Sequence, residues 1–194
     1  MLICVTNRKL CRDDFISRID QIAKGKPQAI MLREKDLSIS NYRSLVKRIG
    51  KSCIENQVPL IINQNLLVAL EMKCSYIHLS MRDLKKYKKD IKLFSQIGAS
   101  VHSISEAKEA QDIGATYLIA GHIFPTDSKR GLPPRGLSFL QELCNMVDIP
   151  VYAIGGITRD KVKAVISAGA KGVCVMSEAM TCLNPAELAG SFRV

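Results

Sequence analysis

Eight short apolar runs, each followed by a stretch of helical periodicity, limit this chain to very few folds. The runs are Leu2–Thr6, Ala29–Arg33, Leu60–Asn63, Tyr76–Leu79, Gln96–Val101, Tyr117–Ala120, Val151–Ile154 and Gly172–Met176. They are mostly continuous rather than alternating, the pattern of strands covered on both faces. Between them, Phe15, Ile16, Ile19 and Ile22 recur at three- and four-residue steps, and Leu45, Val46, Ile49 and Ile54 roughly continue that spacing. Leu66, Leu67 and Leu70, and later Phe139, Leu140 and Leu143, form similar stripes. Ser103-Ile104-Ser105-Glu106 has the form of a capping box, while Ser40, Thr158 and Asn184-Pro185 suit helix entry. Gly114 and Gly169 stand where left-handed helix ends are expected. Eight strand–helix repeats predict an α/β fold, a (β/α)8 TIM barrel formed as a single compact domain over residues 1–194. A flavodoxin-like open sheet is the second choice, but it needs only five strands.

Composition narrows the function classes. No apolar segment reaches the roughly 18 residues of a membrane span. The opening Met1-Leu2-Ile3-Cys4-Val5-Thr6 reads as a core strand rather than a basic leader, so a cytoplasmic location is expected. Seven cysteines form no CxxC pair, which argues against a disulfide framework or a zinc knuckle. Cys4 and Cys174 lie in apolar runs and are expected as small buried hydrophobes. Of the basic residues behind the net charge of +10, Lys85, Lys86, Lys88, Lys89 and Lys92 form one dense cluster and the rest are scattered. With ten aromatic residues, none of them Trp, no stacking platform or helix-turn-helix is legible, and a nucleic-acid partner is not expected.

In a barrel of this kind chemistry collects at the C-terminal ends of the strands. The richest of these ends is Gly121-His122-Ile123-Phe124-Pro125-Thr126-Asp127-Ser128-Lys129-Arg130-Gly131. A histidine can exchange protons near neutral pH, and cations beside it can hold an anionic substrate. His122 is therefore the leading acid–base candidate; His102 is a second, and His78, inside an apolar run, is expected to be structural. Gly155-Gly156 and Met176-Ser177 follow the seventh and eighth runs, the usual phosphate site of the fold. Asp83 and Asn63 alone are too few donors for a resident metal, so none is expected.

Taken together, Leu32-Arg33-Glu34-Lys35-Asp36, Ile61-Ile62-Asn63, Ile77-His78-Leu79, Gly98 to His102, Gly121 to Lys129, Ala153-Ile154-Gly155-Gly156-Ile157 and Gly172 to Ser177 resemble the thiamine phosphate synthase/TenI superfamily over nearly the whole chain. The resemblance implies the same barrel and one of two activities. Synthases join a pyrimidine pyrophosphate to a thiazole phosphate with magnesium. The TenI branch aromatises a carboxythiazole phosphate by moving a proton. Gly121-His122 stands where synthases have Gly-Pro, and Arg135-Gly136-Leu137-Ser138 looks TenI-like. Met31 replaces a Gln, Gln64 replaces a magnesium-binding aspartate whose partner Asp83 is kept, and Ser80 and Met81 replace a Gly and a Gln. Arg33, Lys35, Asn63 and Lys129 match pyrophosphate-holding positions, and Pro125-Thr126 with Ser128-Lys129 look synthase-like.

The expectation drawn from this balance is an isomerase, a thiazole tautomerase of thiamine biosynthesis. His122 would carry the proton, Arg33 and Lys129 would hold the carboxylate, and Gly155, Gly156, Met176 and Ser177 the phosphate. Lys35, Asn63 and His102 complete the expected substrate site, with no cofactor. The alternatives are a magnesium-dependent thiamine phosphate synthase using Asp83, or a non-catalytic thiazole- or thiamine-phosphate-binding regulator. The expected partner is a small phosphorylated thiazole, without nucleic acid or membrane. A short eighth helix, leaving apolar surface uncovered, and the resemblance itself leave room for a homodimer.

Overall fold

The computed structural model describes residues 1–193. The strands are β1 (Leu2–Val5), β2 (Ala29–Leu32), β3 (Leu60–Asn63), β4 (Tyr76–Ser80), β5 (Gln96–Val101), β6 (Tyr117–Gly121), β7 (Val151–Ile154) and β8 (Gly172–Val175). They hydrogen-bond in chain order as a closed parallel barrel, the (β/α)8 fold expected. No described helix is long and apolar enough to cross a membrane. All seven thiols are unbridged; Cys4 and Cys174 are buried as expected, and burial pushes the Cys4 thiol far up.

The chain forms two compact units. The first comprises Met1–Ile77 and Val175–Arg193. Its strands are in register with Cys4 beside Ile30 and Met31 beside Ile61. Helix α1 (Phe15–Lys24) buries Ile19 and Ile22, and α2 (Ile39–Glu55) buries Tyr42, Val46, Ile49 and Cys53. That 4-3-4 spacing is one helical face, so Cys53 takes the core position expected of Ile54, which is 79% exposed. The hydroxyl of Tyr42 donates to the Leu32 carbonyl at 2.7 Å, fastening α2 to the end of β2. Helix α3 (Leu66–Glu71) buries Leu66, Val68 and Ala69, while Leu67 faces out. Ser38, rather than Ser40, caps α2, accepting from the Asn41 amide at 3.2 Å.

The C-terminal part of this unit covers much of its own apolar surface, although Leu183, just after the eighth helix, is 96% exposed. After α8 (Ser177–Thr181) comes a 3-10 turn, Pro185–Glu187, which packs so closely on the end of α1 that a methyl on Gly25 would strike the Ala186 carbonyl. A final turn of helix, α9 (Leu188–Ser191), carries Leu188, Ala189 and the following Phe192 into the core. The Arg18 guanidinium donates to the Cys182 carbonyl at 3.0 Å, tying α1 to this segment.

The second unit is His78–Cys174. It carries α4 (Met81–Lys86), α5 (Ile104–Ile113), α6 (Gly136–Met146) and α7 (Val162–Ser167). Ala99 sits beside Leu118, Ala120 beside Ala153, and Tyr152 beside Gly172. Ser103 caps α5, accepting from Glu106 N at 3.1 Å; the Glu106 carboxylate reaches back to His102 N rather than Ser103 N. The box is therefore offset by one residue. Gly114 (φ 112°) and Gly169 (φ 95°) are left-handed, as expected at helix ends.

Candidate active site

Each residue expected to act lies at or just past the C-terminal end of its strand or in the loop that follows. In the first unit the Arg33–Asp36 segment after β2 is anchored by its one buried member. Glu34 accepts from the Thr6 hydroxyl at 2.8 Å, from Arg8 N at 3.0 Å and from the Arg8 guanidinium at 3.1 Å. Arg8 also grips Asp36 through both guanidinium nitrogens, at 2.6 and 2.7 Å, and Lys9 pairs with Asp36 at 3.0 Å. The Arg8 guanidinium, followed by Lys9, holds the Asp36 carboxyl far below its usual range. Arg33 N donates to Thr6 Oγ1 at 3.0 Å. With Glu34 turned inward, Arg33 is half-buried and Lys35 exposed.

Thr6, Arg8, Glu34 and Asp36 are a supporting shell that the sequence reading did not assign. The available signal was an acidic residue directly after an apolar strand. Glu34 has only 2% of its side chain exposed, against 31% for Arg8. Removing Arg8 leaves a buried carboxylate short of its cation. Arg8→Ala is expected to destabilise the protein by about 2 kcal/mol, below the ~3–5 of a fully buried pair because Arg8 is partly solvated. A shift in the urea midpoint measures this.

Asn63, half-buried, ends β3 with its amide 3.8 Å from the Met31 sulfur. Gln64 follows with a left-handed backbone (φ 62°), and Asn65 caps α3. Met176 caps α8, which Ser177 opens, with the Met176 carbonyl accepting from Met180 N at 3.1 Å.

In the second unit, Ser80 caps α4, accepting from Asp83 N at 3.2 Å and donating to the Asp83 carboxylate at 2.8 Å. Gln64, expected to mark half of a lost metal site, and Ser80, expected to replace a glycine, thus both stand at positions with local backbone duties. Among the described residues no group of three or more His, Cys, Asp or Glu could hold a metal.

The β6–α6 and β7–α7 segments are joined. Ile123 N donates to Ile154 O, and Phe124 N to Gly155 O, both at 3.0 Å. Gly155 (φ 99°) and Gly156 (φ 65°) turn left-handed against them. A methyl on Gly155 would meet the Cβ of His122 and come within 2.8 Å of its Cα. The half-buried His122 ring places Nε2 3.2 Å from the Leu132 carbonyl, so that nitrogen carries the proton and ties the 131–135 loop back to the strand end. His102 Nδ1 lies 2.7 Å from the Gly121 carbonyl. Both imidazoles thus contact main-chain carbonyls of one loop. Lys129 is exposed at the end of a 3-10 turn, Asp127–Lys129, beside an Asp127–Arg130 pair at 3.1 Å. The third histidine is structural as expected. His78 is buried, with Nε2 2.8 Å from Ser100 Oγ and Nδ1 3.3 Å from the Tyr117 hydroxyl, and burial lowers its pKa to about 3.

Compared with known proteins, the chain matches the family described as thiamine monophosphate synthase over residues 2–179. It is 35% identical over 179 residues to the thiamine-phosphate synthase of Clostridium acetobutylicum, covering 91% of this chain and 85% of that one. The thiamine-phosphate synthase of Pyrococcus abyssi is 35% identical over 180 residues, with 92% and 86% covered. Among solved structures, thiamine phosphate pyrophosphorylase from Pyrococcus furiosus superposes with a TM-score of 0.88 at 29% identity, covering 99% of this chain and 93% of that chain. These matches overturn the expected tautomerase. Similarity across nearly the whole chain points to a transferase, not an isomerase. The physical reason for the error is local. The isomerase expectation rested chiefly on His122 and on the defective metal pair at Gln64, and both of these positions carry loop structure.

Proposed function

The chain belongs to the thiamine monophosphate synthase family, and from that membership we propose that it is a thiamine phosphate synthase. The reaction couples hydroxymethylpyrimidine pyrophosphate to a thiazole phosphate. The thiazole nitrogen bonds to the pyrimidine methylene carbon as the carbon–oxygen bond to pyrophosphate breaks. The electron pair of that bond leaves with the pyrophosphate. The observation that carries this reading is the Arg33-Glu34-Lys35 segment, whose buried Glu34 is fixed by Thr6 and Arg8. Two cations flanking a residue that is itself fixed suit an anionic leaving group, whose growing charge they would meet.

In this reading Arg33, Lys35, Asn63 and Lys129 bind the pyrophosphate. Gly155, Gly156, Met176 and Ser177 bind the thiazole phosphate, chiefly through loop amides, since α7 and α8 have only six and five residues. His122 and His102 shape the β6 loop around the reactants. The donors fit magnesium of one kind. Asp83 offers one carboxylate, and a magnesium ion that arrives with its pyrophosphate needs only one or two. When bound, the ion offsets the charge that gathers on the departing pyrophosphate. Soluble phosphorylated substrates fit a cytoplasmic enzyme, and a homodimer is an assembly that sedimentation would detect.

The test is to supply both substrates and magnesium and measure thiamine phosphate and pyrophosphate. The two products are expected in equal amounts, with chelation stopping both. Thiazole phosphate binding without pyrophosphate release at saturating magnesium would instead favour the non-catalytic regulator.

A further inference from the structure

Lys161 lies four residues beyond Ile157, in a 3-10 turn closed by its own amide on the Thr158 carbonyl at 3.0 Å. Its half-buried side chain reaches back over the glycine turn. Nζ donates to the Gly156 carbonyl at 2.9 Å and stands 4.9 Å from the centroid of the Phe124 ring. One ammonium therefore touches both walls: the backbone of the β7–α7 turn and an aromatic face of the β6–α6 segment. Among the described residues, main-chain bonds join those walls only as far as Gly155, through Ile123 and Phe124. Gly156 lies beyond the last of them, and its carbonyl is gripped by Lys161.

This grip sets the direction of one peptide unit. In a trans peptide the carbonyl and the next amide point to opposite sides. Holding Gly156 C=O on the ammonium turns Ile157 N–H away from Lys161. The cation over an aromatic ring contributes a second restraint on the same nitrogen. A bare Gly-Gly turn would otherwise sample many backbone states, which weakens any ligand it must fix.

We propose that Lys161 is a positioning residue for the thiazole phosphate site: it clamps the Gly156–Ile157 peptide so that the Ile157 amide is presented to the phosphate. The inference rests on the synthase reading only for the identity of the ligand. A hydrogen bond from a charged donor to a fixed carbonyl corresponds to a roughly tenfold change in affinity or more.

The test uses the full chain and two variants, Lys161→Met and Lys161→Arg. In Lys161→Met the KM for thiazole phosphate is expected to rise about tenfold. The KM for the pyrimidine pyrophosphate and kcat are expected to stay within about twofold, because the phosphate is held equally in the ground and transition states. Lys161→Arg, which keeps the charge and a donor, is expected to recover most of the loss. Calorimetric titration with thiazole phosphate, without turnover, reads the same change. A folded Lys161→Met variant with unaltered thiazole phosphate affinity overturns the inference. So does an equal weakening of both substrates, which marks a merely structural role. If the unaltered chain binds thiazole phosphate, and does so through Lys161, but makes no product, the synthase reading fails and this one stands. If it binds no thiazole phosphate at millimolar concentration, both fail.

Discussion

Gly156→Ala is expected to lower stability by about 3 kcal/mol, and so the melting temperature by roughly 6–12 °C for a chain of this size. Two costs add. The backbone at this residue is left-handed, with φ 65°, which an L side chain adopts at a cost of about 1–2 kcal/mol. The new methyl would also drive into the Pro125 carbonyl and lie 2.9 Å from the Phe124 carbonyl carbon and Cβ. Those neighbours cannot simply yield, because the Phe124 amide is bonded to Gly155 O and the Phe124 ring lies against Lys161. Forced overpacking of this kind costs about 1–3 kcal/mol. Gly190→Ala is the control. It lies in the last helical turn, a Cβ there meets nothing within 4 Å, and alanine is the better helix former. Thermal melts of the two variants should separate clearly. A Gly156→Ala protein as stable as the Gly190→Ala one would mean that the turn relaxes freely and is not a rigid cradle.

The same turn shows what a sequence can and cannot reveal. Gly155-Gly156 after an apolar run announces a tight loop, and the run itself announces a strand buried on both faces. Those signals are local, and β3, β5 and β7 begin and end where the apolar runs do. Cys53 displacing Ile54 shows the limit of reading hydrophobicity without phase: the helical face set by Tyr42, Val46 and Ile49 decides which residue turns inward. Lys161 and Arg8 lie further out of reach. Each acts on a group several residues away or on another strand, and a lysine after a helix start looks the same whether it meets solvent or a carbonyl. His122 misled in the opposite direction. A histidine at a strand end is chemically eligible for proton transfer, yet here its Nε2 meets the Leu132 carbonyl. Residue type reports what a side chain can do, whereas its partners decide what it does.

Acid should destabilise the protein first through His78. Its pKa falls from the ordinary 6.5 to about 3 because burial penalises the imidazolium. The neutral ring is already satisfied by Ser100 and Tyr117, and Gly98 leaves it room, since a methyl there would strike both the ring and the Tyr117 phenol. Tyr117 offers no compensating anion, because burial pushes its own pKa well above 10. The unfolded chain therefore binds a proton below pH 6.5 that the folded chain refuses down to about pH 3. Stability from this group is full above pH 6.5 and declines by about 1.4 kcal/mol per pH unit below it, or about 2 kcal/mol by pH 5. The lowered carboxylates act later. Asp36, held low by Arg8 and then Lys9, and Asp13, held low by Arg18 and then Cys11, contribute stability that is lost only as pH falls below roughly 5. Urea midpoints between pH 7 and 5 thus isolate the histidine. His78→Gln should be less stable at pH 7 but lose about 2 kcal/mol less over that interval. Parallel pH profiles for the two proteins would show that His78 takes up its proton in the folded state as readily as in the unfolded one.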